Sequence, residues 1–359
     1  MYRIKLYFKI GLYYFYRKFK IPKLLPVNLT ISLTNRCNSR CKTCNVYHRK
    51  FPELSKTDWI RIFDIYGSSV EWITFSGGEP FLYNDIVEVV CSAYEKCRPR
   101  FINIPTNGIL HNIIPEKVKQ ISEVCKNTNI IINISIDEIG EKHDEIRNAK
   151  GCYKKALLTY ENLRALNCTN VTIGIHTVIS KFNYARFPQI YESIQDIKPD
   201  SYITEIAEER VELGTVGKDI TPSVEEYEKA IDFLCGRLRK QSFKGVARII
   251  QSLRVLYYDL VKRTLREQRQ IIPCYAGFAS AQIAPNGDVW MCCIKAEPIG
   301  NLKEVNFDFR KIWFSEKANR IRKDIINGSC YCPLANTAYI NMILNPRIMS
   351  KVAVNLLRK

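Results

Sequence analysis

Apolar positions along the chain alternate between two periods. Short β-rich runs stand at 29–33, 72–75, 101–104, 130–136, 171–178 and 202–206. After each, apolar residues recur every three to four positions, predicting helices over about 57–66, 84–97, 115–126, 153–166, 184–196 and 223–240. A strand followed by a helix, repeated in this way, implies parallel strands joined by right-handed crossovers. The fold class expected is α/β, a partial (β/α)6 TIM barrel with its chemistry at the C-terminal ends of the strands.

Both ends depart from this pattern. As a helix, the opening segment aligns Ile4, Phe8, Leu12, Phe15 and Phe19 on one stripe, with Tyr, Lys and Arg on the other faces, before Pro22 and Pro26 stop it. In the tail, Ile348, Met349, Val352, Ala353 and Leu356 share a face flanked by Arg347, Lys351, Arg358 and Lys359. The first segment does not span a bilayer: its longest uncharged stretch, Ile10 to Tyr16, is seven residues, where about twenty are needed. The net charge of +18 sits at these ends. Residues 1–50 hold twelve Lys or Arg and no acid, residues 335–359 hold four and none, and the middle is nearly balanced at 38 basic against 36 acidic residues. Two readings follow: helices packed on the protein's own core, or interfacial helices on an anionic membrane. At roughly 1 kcal/mol per basic residue, the seven before Pro26 would suffice for reversible attachment. The expected location is cytoplasmic, peripheral on the inner membrane face. Nucleic-acid binding is disfavoured, because the charge lies on tails and not around a barrel rim.

Fourteen cysteines and no secretory cleavage pattern indicate a reducing compartment with free or metal-bound thiols. Cys91, Cys97, Cys125, Cys152, Cys168, Cys235 and Cys293 read mostly as small buried hydrophobes. "CNSRCKTCN" is different, since Cys37, Cys41 and Cys44 form an odd cluster directly after the first strand. Three thiolates can hold one soft metal centre and leave a position open. Structural zinc wants four closed ligands, and a site completed by His48 would be irregular. The next three strands end in "SGGEP" (76–80), "PTNG" (105–108) and "SID" (135–137), where a barrel's active rim would lie.

Cys37, Cys41 and Cys44, with Ser76-Gly77-Gly78-Glu79-Pro80 after the second strand, resemble the radical S-adenosylmethionine (SAM) superfamily over roughly residues 27–210. The resemblance implies a [4Fe–4S] cluster whose fourth iron is chelated by SAM. It implies reductive cleavage of SAM, hydrogen abstraction from a substrate, and a ferredoxin- or flavodoxin-type reductant protein as partner. By position, Gly77, Gly78 and Glu79 would lie against SAM's amino group, and Thr106, Asn107 and Ser135 near SAM. Arg147 would face its carboxylate. Thr43 stands where the family commonly has an aromatic residue against the adenine.

A second set follows. "NGDV" signals a hairpin that would bring Cys274 near Cys292, and Cys330 and Cys332 come later. Four thiolates close a site, and zinc competes for it. The arrangement resembles the SPASM or twitch extension of radical SAM enzymes, which binds an auxiliary [4Fe–4S] cluster. It lacks the further CxxCxxxxxCxxxC run of a full SPASM extension and so is closer to the twitch type. Cys292 and Cys293 both remain candidates, with spacing favouring Cys292. The implied organisation is a basic helix (1–26), the barrel (27–235), a helical linker (236–272), a SPASM/twitch-like auxiliary domain (273–334) and a basic tail (335–359).

For substrate contact the candidates are Asp137, His143, His176, Asn183, Glu205 and Glu208. A closed auxiliary cluster would carry an electron, which suits an oxidation or radical bond formation. Basic ends point to a membrane-anchored substrate: a lipid, a lipid head group or a lipid-linked sugar. The alternatives are a ribosomal peptide maturase, although residues 1–26 leave no room for a leader-binding winged helix, and a non-catalytic iron–sulfur redox sensor.

Overall fold

The parallel core arises from strands whose alternate residues point to opposite sides of one sheet. The computed structural model describes residues 2–241, 245–328 and 330–357. Helix α1 (Tyr2–Phe19) precedes β1 (Asn28–Thr34), α2 (Lys56–Tyr66), β2 (Trp72–Gly77), α3 (Ile86–Cys97), β3 (Phe101–Thr106), α4 (Ile114–Val124) and β4 (Asn129–Ser135). Then come α5 (Glu141–Arg147), α6 (Cys152–Ala165), β5 (Val171–Ile179), α7 (Phe187–Ile197), β6 (Ser201–Ile206) and α8 (Val224–Lys240). The C-terminal part holds α9 (Gly245–Glu267), β7 (Ser280–Ile283), β8 (Asp288–Trp290), β9 (Pro298–Asn301), α10 (Phe309–Trp313), α11 (Glu316–Ile326), α12 (Ala335–Ile343) and α13 (Pro346–Leu357).

Strands β1 to β6 are parallel neighbours in chain order, the expected partial barrel. Ile31, Ile73, Phe75, Ile102, Ile104, Ile130, Ile132, Ile134 and Ile175 on one face are fully buried in the main apolar core. The helices supply matching stripes. In α2, a Ser55–Asp58 capping box sets the start, and Trp59, Ile62, Phe63 and Tyr66 are buried on one side. Fully burying an aliphatic or aromatic side chain contributes about 1.5–3 kcal/mol. The other face carries Thr30, Ser32, Thr74, Asn103, Asn133, His176, Ser201 and Glu205 alongside Trp72, Phe101, Ile131, Val178 and Ile203, so the concave lumen mixes polar and apolar side chains.

The C-terminal region continues the same sheet. Strand β7 pairs in parallel with β1, from Asn28 opposite Ser280 to Ile31 opposite Ile283, and β8 and β9 add antiparallel. Asn336 of α12 reaches the lumen floor, donating to Thr30 Oγ1 at 2.8 Å and accepting from Asn28 Nδ2 at 2.8 Å.

The two ends differ from each other. In α13, Val352 is 2% exposed and Ile348 packs on the main core, while Asn355 joins α9 through Arg248 and Ser252. Of the remaining residues on that face, Met349 and Leu356 are half-buried and Ala353 is exposed, so the helix leans on the protein's own core along part of its stripe; Arg358 and Lys359 lie outside the described residues. In α1, Tyr13 and Tyr16 enter a small core with Tyr275, Phe278, Ala279 and Leu344, leaving Phe15 and Phe19 each 52% exposed. The side chains of Ile4 and Phe8 fall outside the described ones. No helix among the described residues is long and apolar enough to cross a membrane.

Candidate iron–sulfur and S-adenosylmethionine site

The cysteine loop leaves β1 and is held by the ends of four other elements. Behind it, Gly78 N donates to Thr34 O at 2.7 Å and Glu79 N to Arg36 O at 2.9 Å. Both glycines are needed for this approach: a Cβ on Gly77 would lie 2.1 Å from Thr34 O, and one on Gly78 2.2 Å from Arg36 O. Their closest neighbour is thus the cysteine loop's own backbone, a role the sequence did not suggest. Beside β3, Asn107 Nδ2 donates to Asn38 Oδ1 at 2.7 Å and reaches Cys37 Sγ at 3.8 Å. From the end of α5, the carbonyl of Arg147 accepts from Arg40 N (3.0 Å) and Ser39 Oγ (3.1 Å), and that of Ile146 from Lys42 N (2.8 Å). On the far side, Asn45 N donates to Leu213 O at 2.8 Å.

Glu79 is a buried latch between strand ends. Its carboxylate accepts from Thr106 Oγ1 (2.8 Å), Asn107 N (2.8 Å) and Phe81 N (3.3 Å). Burial outweighs those bonds and pushes its carboxyl up to about 7. Its side chain therefore ties β2 to β3. Arg147 pairs with Asp137 at 2.7 Å and points Nη1 at Cys41 Sγ (3.8 Å); its buried Nε has no hydrogen-bond partner. Ser135 ends β4 on the same rim.

Three thiols ringed by N–H donors fit an iron–sulfur cluster, because such donors offset thiolate charge and tune it. Burial raises Cys37 to about 11 and Cys44 to about 12, so metal binding would displace protons here. No three His, Cys, Asp or Glu side chains among the described residues converge as a single ion requires. A cluster binds each thiolate to a different iron and asks for a wider arrangement. The unpartnered Arg147 Nε beside Cys41 fits a carboxylate ligand such as SAM's. His48 is exposed on a short 3-10 turn, Val46–His48, its ring tilted at 39° against that of Tyr47.

The second set gathers across the β7–β8 hairpin. Cys274 lies within electrostatic reach of Cys292 and Cys330, and Cys332 of Cys274 and Cys292. Cys293 instead has Glu212 and Arg210 as its strongest charged neighbours. Cys292 thus has the other three thiols within the same electrostatic reach. Burial pushes Cys274 up to about 12.

Between the two cysteine sets runs the loop after β6. Val211 N donates to Ile294 O at 3.1 Å, beside the second set, while Leu213 holds Asn45, beside the first. Above the lumen, Arg210 binds Glu208 Oε2 through Nε (2.9 Å) and Nη2 (2.8 Å) and lies 3.7 Å from Glu205. Glu205 in turn lies 3.6 Å from His176 Nε2. Burial, only partly offset by Arg210, raises Glu208 to about 7. Gln282 donates to Ser32 Oγ at 3.2 Å and also to Glu212. Three sequence candidates turn away from this place. Asn183 holds its own turn and Asp137 O, His143 Nδ1 accepts from Asp137 N at 3.1 Å, and Asp137 is taken by Arg147. The sequence reading missed Asn133, Arg210, Glu212 and Gln282; the run "EIAEERVEL" after β6, dense in acids at a strand's C-terminal end, was the available signal.

Comparison with known proteins agrees with this geometry. Residues 31–194 match the radical SAM superfamily, and residues 274–333 match SPASM, an iron–sulfur cluster-binding domain. The chain is 30% identical over 221 residues to Fe-coproporphyrin III synthase of Methanosarcina barkeri, spanning 60% of this chain and 52% of that protein. It is 23% identical over 335 residues to the subtilosin biosynthesis protein AlbA of Bacillus subtilis, spanning 86% and 66%. The chain thus covers between about half and two thirds of these two relatives. Streptococcus suis SuiB bound to S-adenosylmethionine superposes with a TM-score of 0.64 at 16% identity, covering 86% of this chain and 70% of that one, a likeness of fold. Both domains imply [4Fe–4S] clusters, and the first implies SAM. With both motifs placed on one sheet and both domains matched, the chain belongs to the radical SAM superfamily and carries a C-terminal SPASM iron–sulfur domain.

Proposed function

We propose that this chain is a radical enzyme that oxidises or cross-links a polar, donor-bearing group held in the lumen between two clusters. Cys37, Cys41 and Cys44 would hold the first cluster, and Cys274, Cys292, Cys330 and Cys332 the second. The bound cofactors supply the electron that cleaves SAM and the radical that abstracts hydrogen. The chain's own residues position them: Asn107 and Arg147 aim N–H groups at the thiols, and Glu79 fastens the rim.

One observation carries the substrate class. Asn133 Oδ1, His176 Nε2 and Glu208 Oε1 are buried toward the lumen without hydrogen-bond partners. A buried polar atom left unpaired costs about 1–3 kcal/mol, which a substrate's N–H or O–H donors would relieve. Glu205, Glu208 and Glu212 outnumber Arg210, so an amine is favoured over an anion. Relatives named for peptide work, AlbA, the maturation protein SkfB and PqqA peptide cyclase, support a peptide side chain as the reacting group. The lipid or lipid-linked substrate expected from the basic ends finds no support among these names. Peripheral membrane attachment is a separate reading, favoured by the exposed Phe15, Phe19 and Ile21 beside Lys18 and Lys20.

The test is anaerobic. Reconstituted, reduced protein given SAM should release 5′-deoxyadenosine, and a Cys37→Ala/Cys41→Ala/Cys44→Ala variant should release none. Cell extract fractions then identify the class: faster release with the peptide fraction supports the proposal, and faster release with the lipid extract alone refutes it. Intact clusters without any nucleoside would favour the redox sensor.

A further inference from the structure

A cluster of cations lies where α1 meets the C-terminal region. Arg17, Lys18, Lys20 and Lys323 ring a cavity of about 400 Å3 walled by Tyr14 and Tyr275, with no acidic residue among the described residues of its lining. Arg17 donates to Cys274 O at 3.0 Å and lies 5.6 Å from the Tyr275 ring centre. Lys18 and Lys20 lie over the rings of Phe19 and Phe278, at 5.1 and 4.8 Å. Lys20 Nζ is shielded from water yet has no hydrogen-bond acceptor among the described residues. Behind it, the fully buried Arg322 adds another positive charge, donating to the carbonyls of Gly277 and Trp313 (2.6 Å each) and to Asn319 Oδ1 (2.9 Å) and lying over the Trp313 ring at 4.6 Å.

Five cations gathered without a carboxylate repel one another, and low local dielectric strengthens that repulsion. An ammonium has three donors, and a shielded one with no acceptor is costly until an anion supplies oxygens. We propose that this cavity binds a phosphate group. A phosphate carries up to two charges on several acceptor oxygens, enough to meet Lys20, Lys323 and Lys18 together. Its source is indicated by the rim. Tyr14 touches Phe15 (ring centres 6.1 Å), which stacks on Phe19 (5.7 Å), so the cavity opens beside an exposed aromatic pair. A lipid head group and a free phosphate share this chemistry, and the experiment separates them.

The full chain, reconstituted anaerobically, is titrated with inorganic phosphate while its thermal midpoint is followed. The expected result is a rise in midpoint for the wild type, with affinity weakened about tenfold in each of Lys20→Met and Lys323→Met, the loss of one charge-assisted hydrogen bond. Midpoints without phosphate report whether the variants are folded, and sulfate serves as a second tetrahedral dianion. Vesicles of phosphatidylcholine with and without phosphatidate form the second arm. Phosphate that displaces the protein from phosphatidate vesicles assigns the cavity to lipid head groups, and phosphate binding without displacement assigns it to a soluble phosphate. No midpoint rise with phosphate, or equal phosphate affinity in wild type and both variants, overturns the proposal.

Discussion

Replacing Gly78 with alanine tests whether the glycines serve the cysteine loop. The residue has an ordinary φ, so backbone strain does not enter and only the added methyl group matters. That methyl would sit 2.2 Å from Arg36 O, 2.7 Å from Arg36 C and 2.8 Å from Asn35 O, all backbone atoms one or two residues before Cys37. Ordinary contact begins near 3.4 Å, so the two segments must part by about 1 Å. Parting them stretches the Gly78–Thr34 and Glu79–Arg36 hydrogen bonds, each contributing about 1 kcal/mol, on top of about 1–3 kcal/mol for overpacking. A total of about 3–5 kcal/mol, concentrated on the loop, should empty the first cluster site and leave the second loaded. Iron per chain after anaerobic reconstitution should then fall from about eight to about four. Gly236→Ala, in α8 with nothing within 4 Å of the added methyl, is the control and should keep the full complement. A Gly78→Ala protein with about eight irons and undiminished SAM binding would refute the reasoning.

Other expectations follow from the same geometry. Cys292→Ala should lose the second cluster, with iron falling to about four per chain, while Cys293→Ala should keep it, because Cys293 faces Arg210 and Glu212. His143 is held down to about 4, first by burial and then by Arg147, so the folded state keeps it neutral while the unfolded chain protonates near 6.5. The stability of the metal-free protein should therefore be fully present above pH 6.5 and lost as pH falls toward 4, by up to about 3 kcal/mol, and less in His143→Asn; parallel urea midpoints from pH 7 to 4 for both proteins would contradict this. Val352→Asp should cost about 2–4 kcal/mol in chemical denaturation, since it buries a charge between α13 and the core; a silent substitution would return the tail to the surface.

The barrel was legible because its signal is local and repeated. β-rich runs alternating with three-to-four periodicity need no knowledge of partners, and all six βα units lie where the periods change. The short α5 was not, since seven residues after Gly140 carry only His143 and Ile146 inward, too few for a periodic stripe. On α1, the wheel offers an apolar stripe through Leu12, Phe15 and Phe19 and a tyrosine face through Tyr13 and Tyr16. The tyrosines are the ones buried, because Phe278 and Tyr275 receive their rings and Leu25 O accepts the Tyr13 hydroxyl. Hydrophobicity alone has no direction, so no count along the helix could choose between the faces.

The chemistry divides the same way. Which atoms can hold iron is a property of residue type and close spacing, and Cys37, Cys41 and Cys44 declare it within eight residues of chain. Tertiary structure alone decides that Glu79 is a latch, that Cys292 comes within reach of Cys274, Cys330 and Cys332, and that the loop after β6 joins the two sites through Leu213 and Val211. Those roles depend on distances between segments up to some 250 residues apart, set by how β1 pairs with both β2 and β7. A strand's sequence states that it will pair; its neighbours are chosen by the packing of the whole sheet.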